Sequence, residues 1–207
     1  MKRLTATLVT DGSSDRLLVP LIELLLEEHS ELPYQVKCAD GLPPASAGLR
    51  ARIDSALELF PCDILFVHRD AESVDALARE REIEASWPIQ EPPIATLICV
   101  IPVRMTEAWL LVDEKSIRSA VGNPNGRDEL GLPAFKDIES LPDPKEVLFM
   151  ALRTASGLGA ARKRRFNPHQ YRHRVSELME DLTSLRRLKS FEHLEVQINN
   201  HLTGLSV

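Results

Sequence analysis

Three acidic clusters each follow a short apolar run in this protein. Leu8-Val9-Thr10 leads into Asp11-Gly12-Ser13-Ser14-Asp15, and Ile64-Leu65-Phe66-Val67 leads into His68-Arg69-Asp70-Ala71-Glu72. Leu97-Ile98-Cys99-Val100-Ile101 leads toward Arg104-Met105-Thr106-Glu107. Carboxylates two residues apart, as at Asp70 and Glu72, repel unless something cationic neutralises them. Arg69 could do so, solvent at a helix start could accommodate them, or a divalent ion could bind. Oxygen-only ligands favour Mg2+ or Mn2+ over zinc, and retained waters would leave room for a phosphate oxygen. Asp70 and Glu72 are the leading metal candidates, with Asp11 beside them. Asp11 and Glu107 are the candidates for orienting attacking water, and Asp15 is a weaker one. His68 and Arg69 are candidates for substrate contact.

Each cluster also has a plainer reading. Asp11 to Asp15 could be a strand-to-helix turn in which Ser13 or Ser14 caps the helix. Glu107 could be an ordinary acid at a helix start, and His68 a structural side chain. The first turn departs from D-x-S-x-S at its last position and shows no trace of G-x-x-x-x-G-K.

The elements that must position these residues alternate. Leu4 to Thr10 reads as a strand and is followed by a helix through Leu17, Leu18, Ile22, Leu25 and Leu26. Tyr34 to Ala39 reads as a second strand, and Leu49, Ile53, Ala56, Leu57 and Phe60 mark a second helix. Asp63 to Val67 is a short strand apolar on both faces. A charged helix over 73–86 would turn Val74, Leu77, Ala78 and Ile83 inward. Ile94 to Val103 reads as a fourth strand, and Glu107 opens a helix. Such alternation predicts an α/β fold with a mainly parallel sheet of about four strands flanked by helices. In that arrangement the carboxyl ends of strands meet at one crevice, where acids distant in sequence can converge.

Residues 122–144 change texture to Gly, Pro, Asn and Asp, and beyond them three helices are expected, over 144–156, 168–182 and 190–202. The predicted organisation is an α/β domain over 1–121, a loop or linker over 122–144, and a basic helical extension over 145–207 packed on the first domain. The net charge of −6 conceals an asymmetry. Between Val147 and Ser176 there is no acid but there are seven bases: Arg153, Arg162, Lys163, Arg164, Arg165, Arg172 and Arg174. The remainder of the sequence then carries 18 bases against 31 acids. A basic face of this kind suits nucleic acid, RNA or DNA, with Phe166, His169, Tyr171 and His173 available for stacking or hydrogen bonding.

Composition excludes several classes. No apolar run approaches the roughly 20 residues of a membrane span, and Met1-Lys2-Arg3-Leu4-Thr5 enters a strand pattern without a secretory h-region. The expected location is cytoplasmic, with no membrane partner. Cys38, Cys62 and Cys99 are widely spaced and read as small hydrophobes. No nucleophile-elbow sequence occurs.

The acidic turn after strand one, the D-x-D-like pair after a later apolar strand, and the α/β alternation between them resemble the Toprim fold of topoisomerases, primases and overcoming-lysogenization-defect nucleases. Arg104-Met105-Thr106-Glu107-Ala108-Trp109-Leu110-Leu111-Val112-Asp113 is similar to the E-A-W-L-L-x-D signature of a Toprim-related bacterial family, domain of unknown function 4276. The resemblance covers Leu4 to Asp113 by motif. It implies Mg2+ (or Mn2+) held by Asp70 and Glu72, with Asp11 as general acid/base or ligand. Asp11 stands where that fold carries Glu, and Glu72 lengthens the second acid of the pair. By resemblance, companions would include an ATPase partner protein in a bacterial defence-type system, and homo-oligomers are compatible with it. The expected function is a Mg-dependent phosphodiesterase acting on nucleic acid. The alternatives are a noncatalytic partner subunit of an ATPase, or a nucleic-acid-binding module without hydrolysis.

Overall fold

A computed structural model describes residues 3–89 and 91–205, apart from the side groups of Ser13, Ser14 and Leu205. It is an α/β fold built on four strands: β1 (Leu4–Val9), β2 (Tyr34–Cys38), β3 (Ile64–His68) and β4 (Thr96–Val100). All neighbours are parallel, in the order β2-β1-β3-β4, with Ala6 opposite Ile64 and His68 opposite Val100. Parallel neighbours need long crossovers. These are supplied by α1 (Leu18–His29), α2 (Leu49–Leu59) and α3 (Ala76–Ala85). Because β1 connects to β2 on one side and β2 returns past it to β3, the path reverses direction between β1 and β3. That reversal opens a crevice at their carboxyl ends.

The two-residue period of a strand sends alternate side chains to opposite faces. Leu4, Ala6, Leu8, Ile64, Phe66, Ile98 and Val100 face a large core that includes α1. The same core takes in α4 (Glu107–Leu110), α5 (Glu114–Ala120), α6 (Pro144–Ala155), α8 (Arg172–Glu177) and α9 (Lys189–Leu205), which follow the strands; the short α7 (Ala160–Lys163) lies outside it. Val9, Leu65, Val67, Cys99 and Ile101 face a smaller core under α2 and Ile83 of α3. The segment beyond residue 144 thus completes one layer of the sheet. Within 122–144, Leu130 and Ile138 are also buried in the larger core. Trp109, fully buried, donates from Nε1 to Ser190 Oγ at 2.8 Å and meets Phe191 edge-on at 5.1 Å, which locks α4 to α9.

Some expected boundaries move. β4 ends at Val100 rather than Val103 because Pro102 has no N–H to donate and Arg104 turns left-handed, at φ 66°. The helix expected over 168–182 is a 3-10 turn at Pro168–Gln170 followed by the short α8. Val74, Leu77 and Ala78, expected to turn inward, are exposed; α3 is held to the smaller core by the buried Ile83 and the partly buried Ala76. The first turn winds through a 3-10 segment, Ser13–Leu17, before α1 begins at Leu18. The expected cap from the Ser13 or Ser14 hydroxyl lies outside the described residues. Burial pushes the thiols of Cys38 and Cys62 up, and that of Cys99 up to about 12, in keeping with inert small hydrophobes.

Two devices tie α9 down. The Gln197 amide accepts from Cys99 N and donates to Cys99 O, both at 3.1 Å, pairing with the outer edge of β4 as a strand would. Arg186, in the 3-10 turn Leu185–Arg187 just before α9, binds both Glu195 of α9, at 2.7 Å, and Glu28 of α1. His29 Nε2 lies 2.7 Å from Glu195 Oε1. The hydrogen bond from Arg186, aided by that from His29, holds the Glu195 carboxyl below its ordinary 4.5 despite burial.

A lowered folded-state pKa stabilises above the unfolded value and is lost as pH falls through the folded one. Glu195→Gln is therefore expected to cost about 1–2 kcal/mol at neutral pH, less than a fully buried pair because Arg186 is partly exposed. Urea midpoints of variant and wild type should converge progressively below pH 4.5. A pH-independent gap would show that the Arg186 contact is not its source.

Candidate active site

The carboxyl ends of β1 and β3 deliver their polar residues to the reversal between them. Arg52 of α2, buried, donates to Thr10 O and Pro43 O, pinning the backbone just before Asp11. Asp11 Oδ2 receives Arg69 Nε at 2.8 Å. Burial raises the Asp11 carboxyl pKa, opposed by the charges of Arg69, His68 and Arg52 and reinforced by that of Asp15. Arg69 also reaches Glu82 Oε1 at 3.0 Å, so its guanidinium bridges the crevice to α3.

At the centre stands His68, its side chain 1% exposed. Nδ1 faces Asp15 Oδ2 at 3.7 Å. Nε2 lies 3.2 Å from Asp70 Oδ1 and 3.0 Å from Thr106 Oγ1. Thr106 in turn donates to the same Asp70 oxygen twice, from its backbone N at 2.9 Å and from Oγ1 at 3.0 Å. All of these contacts fall on Oδ1. Oδ2 of Asp70 makes no hydrogen bond among the described residues, and the side chain remains 28% exposed. A carboxylate fixed through one oxygen and open at the other is what an orienting shell around a metal ligand provides.

The loops beyond β3 and β4 stay zipped after the strands end. Arg69 N donates to Val100 O, Ala71 N to Pro102 O and Glu72 N to Arg104 O. Glu72 and Arg104 both hold positive φ, 53° and 66°, a conformation costly for residues with a Cβ. Such backbone outliers concentrate at functional sites.

The expected site residues thus separate. Asp11, Asp15, His68, Arg69 and Asp70 come together, with Thr106 as an unforeseen member; its only sequence signal is its place beside Glu107. Glu72 instead turns to Arg79, 3.8 Å away, and is 67% exposed. His68, expected to touch substrate, is too buried to do so and holds Asp70 instead. Glu107, expected in the chemistry, is 5% exposed and paired with Arg172 at 2.8 Å. Arg172, expected on the nucleic-acid face, is consumed by that pair and 8% exposed. α8 packs against the 3-10 turn carrying Asp15, which brings the basic segment up to the crevice.

Among the described residues, the one group of three acidic, His or Cys residues whose ligand atoms lie within 4.8 Å of one another is Glu28, His29 and Glu195. It lies apart from the crevice, and Arg186 already neutralises it. No protein-family model, curated protein or solved structure matches the chain.

Removing one partner of a buried ion pair strands the other charge. Glu107→Ala is expected to destabilise the fold by about 3–5 kcal/mol, with much of the loss recovered in Glu107→Leu/Arg172→Met. Denaturant melts would check this. An unaltered midpoint in Glu107→Ala would return Glu107 to the chemistry.

Proposed function

We propose that the crevice is the site of a divalent-metal-dependent phosphodiesterase acting on nucleic acid. The observation that carries this reading is Asp70, whose Oδ1 is fixed by Thr106 and lies within reach of His68, while Oδ2 is unbonded among the described residues and open to solvent. The donors present are oxygens, which suit a hard cation, but no three acidic or His groups of the crevice lie within 4.8 Å of one another among the described residues, so Asp70 would hold Mg2+ or Mn2+ largely with waters. Glu72, 67% exposed and turned toward Arg79, is not needed in this set. A bound ion would polarise a phosphoryl oxygen and offset charge developing on it.

The protein's own residues do the rest. Thr106 and His68 hold the Asp70 carboxylate in one orientation, which matters because displacements near 1 Å can cost on the order of 10²-fold in rate. Asp11, its pKa raised by burial, is suited to take a proton from water while Arg69 keeps it in place. The bases of the 160–174 segment other than the buried Arg172 would hold the phosphate backbone beside the crevice.

A second reading, a nucleic-acid-binding module without hydrolysis, is favoured by the Arg69–Asp11 ion pair. Arg69 already supplies Asp11 with a counter-charge. The likeness to Toprim-type nucleases supports the enzymatic reading through motif alone, whereas the likeness to companions of defence-system ATPases supports a noncatalytic partner subunit.

Calorimetry and nuclease assays separate the two. The enzyme predicts heat on titration with Mn2+, lost in Asp70→Asn together with at least about 10²-fold of phosphodiesterase activity. Thr106→Val should weaken Mn2+ binding about 10–100-fold, and Thr106→Ser should restore it. Absence of metal heat at millimolar Mn2+, with nucleic-acid binding intact, would establish the binding module instead.

A further inference from the structure

We infer that the face formed by residues 160–174 is a surface for single-stranded nucleic acid, in which exposed cationic side groups flank a stacked Phe166–Tyr171 pair. The inference rests on the nucleic-acid reading above but not on hydrolysis.

Of the seven basic residues between Val147 and Ser176, Arg153 pairs with Glu146 and Arg172 with Glu107. Arg162, Lys163, Arg164, Arg165 and Arg174 pair with no carboxylate among the described residues, and all but the half-buried Lys163 are exposed. Their arrangement is not that of a loose tail. Phe166 and Tyr171 stack at 4.7 Å with planes 10° apart, closing the intervening loop and drawing Arg165 toward the start of α8. His169 packs on Phe149 of α6 at 4.4 Å, and Asn167 Oδ1 accepts from His169 N. The loop is thus fastened at both its tip and its base. Like charges held together in this way repel one another, and the segment contains no acid to offset them. A polyanion can.

The rest of the molecule narrows where that polyanion can lie. With 18 bases against 31 acids elsewhere, the remaining surface repels phosphate. His173 shows how close this face comes to the crevice: it lines one cavity with Arg16 of the first turn, and α8 packs against that turn. Partly exposed aromatic rings beside cations are the pattern that accommodates unpaired bases by stacking. A duplex keeps its bases stacked on one another and leaves such rings unused.

The test is fluorescence anisotropy of the whole protein in EDTA, so that hydrolysis plays no part, with one labelled oligonucleotide offered as single-stranded DNA, as single-stranded RNA and as duplex. Both single strands should bind more tightly than the duplex, with a log–log salt slope of about −0.7 per phosphate neutralised. Arg162→Ala/Arg164→Ala/Arg165→Ala, all at exposed positions, should weaken binding at least about tenfold and flatten that slope by roughly 2. Tyr171→Leu, which keeps apolar bulk without the ring, should lose about tenfold on single strands. Duplex binding as tight as single-strand binding overturns the inference, as does an unchanged triple variant or displacement of the oligonucleotide by an equal charge of polyglutamate. Hydrolysis in Mg2+ without single-strand preference removes this surface and leaves the metal site standing. Selective single-strand binding by a protein that never hydrolyses supports the surface and removes the enzyme.

Discussion

Parallel pairing of β1 with β3 at the middle of the sheet constrains nearly everything else. Parallel neighbours cannot be joined by tight turns, so helices must cross the faces, and the connections must leave β1 in one direction and return past it in the other. The gap this leaves at the strand ends is where loops converge without a helix above them. Asp11 and Asp70 sit there because each is among the first residues released by its strand. His68, still in the strand, is held by the ladder and by burial, and can orient Asp70 because it cannot move.

The same pairing explains why the segment beyond residue 144 is more than an attachment. One face of the sheet carries Leu4, Ala6, Leu8, Ile64, Phe66, Ile98 and Val100. α1 alone is too narrow to cover four strands, and the later helices close the remainder. The Glu107–Arg172 pair is a product of that closure: a charge from just beyond the crevice meets one from the basic segment, and the two are buried together. Charges that a linear reading assigns to chemistry and to substrate are in this way withdrawn from both.

Much of the architecture could be read from the sequence because its signals are local. The runs at Leu4–Val9 and Ile64–Val67 are short, carry Thr, Val, Ile and Phe, and end at polar turn residues, and Asp143-Pro144 announces a helix start by the capping carboxylate and the fixed φ of proline. What escaped reading was long-range. Nothing near Arg172 in sequence reveals that it meets a carboxylate 65 positions away. Thr106 looks like a spacer until β4 brings its hydroxyl beside Asp70. Glu72 and Asp70 form a matched pair on paper, but the left-handed turn at Glu72 rotates the second acid toward α3 and Arg79. The direction a residue points at a strand end depends on backbone conformation, which composition does not record.

The Gln197 amide on β4 has a consequence for how the molecule meets others. By answering both the N–H and the carbonyl of Cys99, it spends the hydrogen-bonding capacity near the end of that strand on a glutamine, and no incoming backbone can claim it. Among the described residues β2 carries no equivalent cover: it pairs with β1 alone, and its residues alternate between half-buried and exposed. The sheet is therefore one-sided, sealed beside β4 and extensible beside β2. Any assembly that grows by adding strands has one permitted direction, and it leads away from the helix that does the sealing.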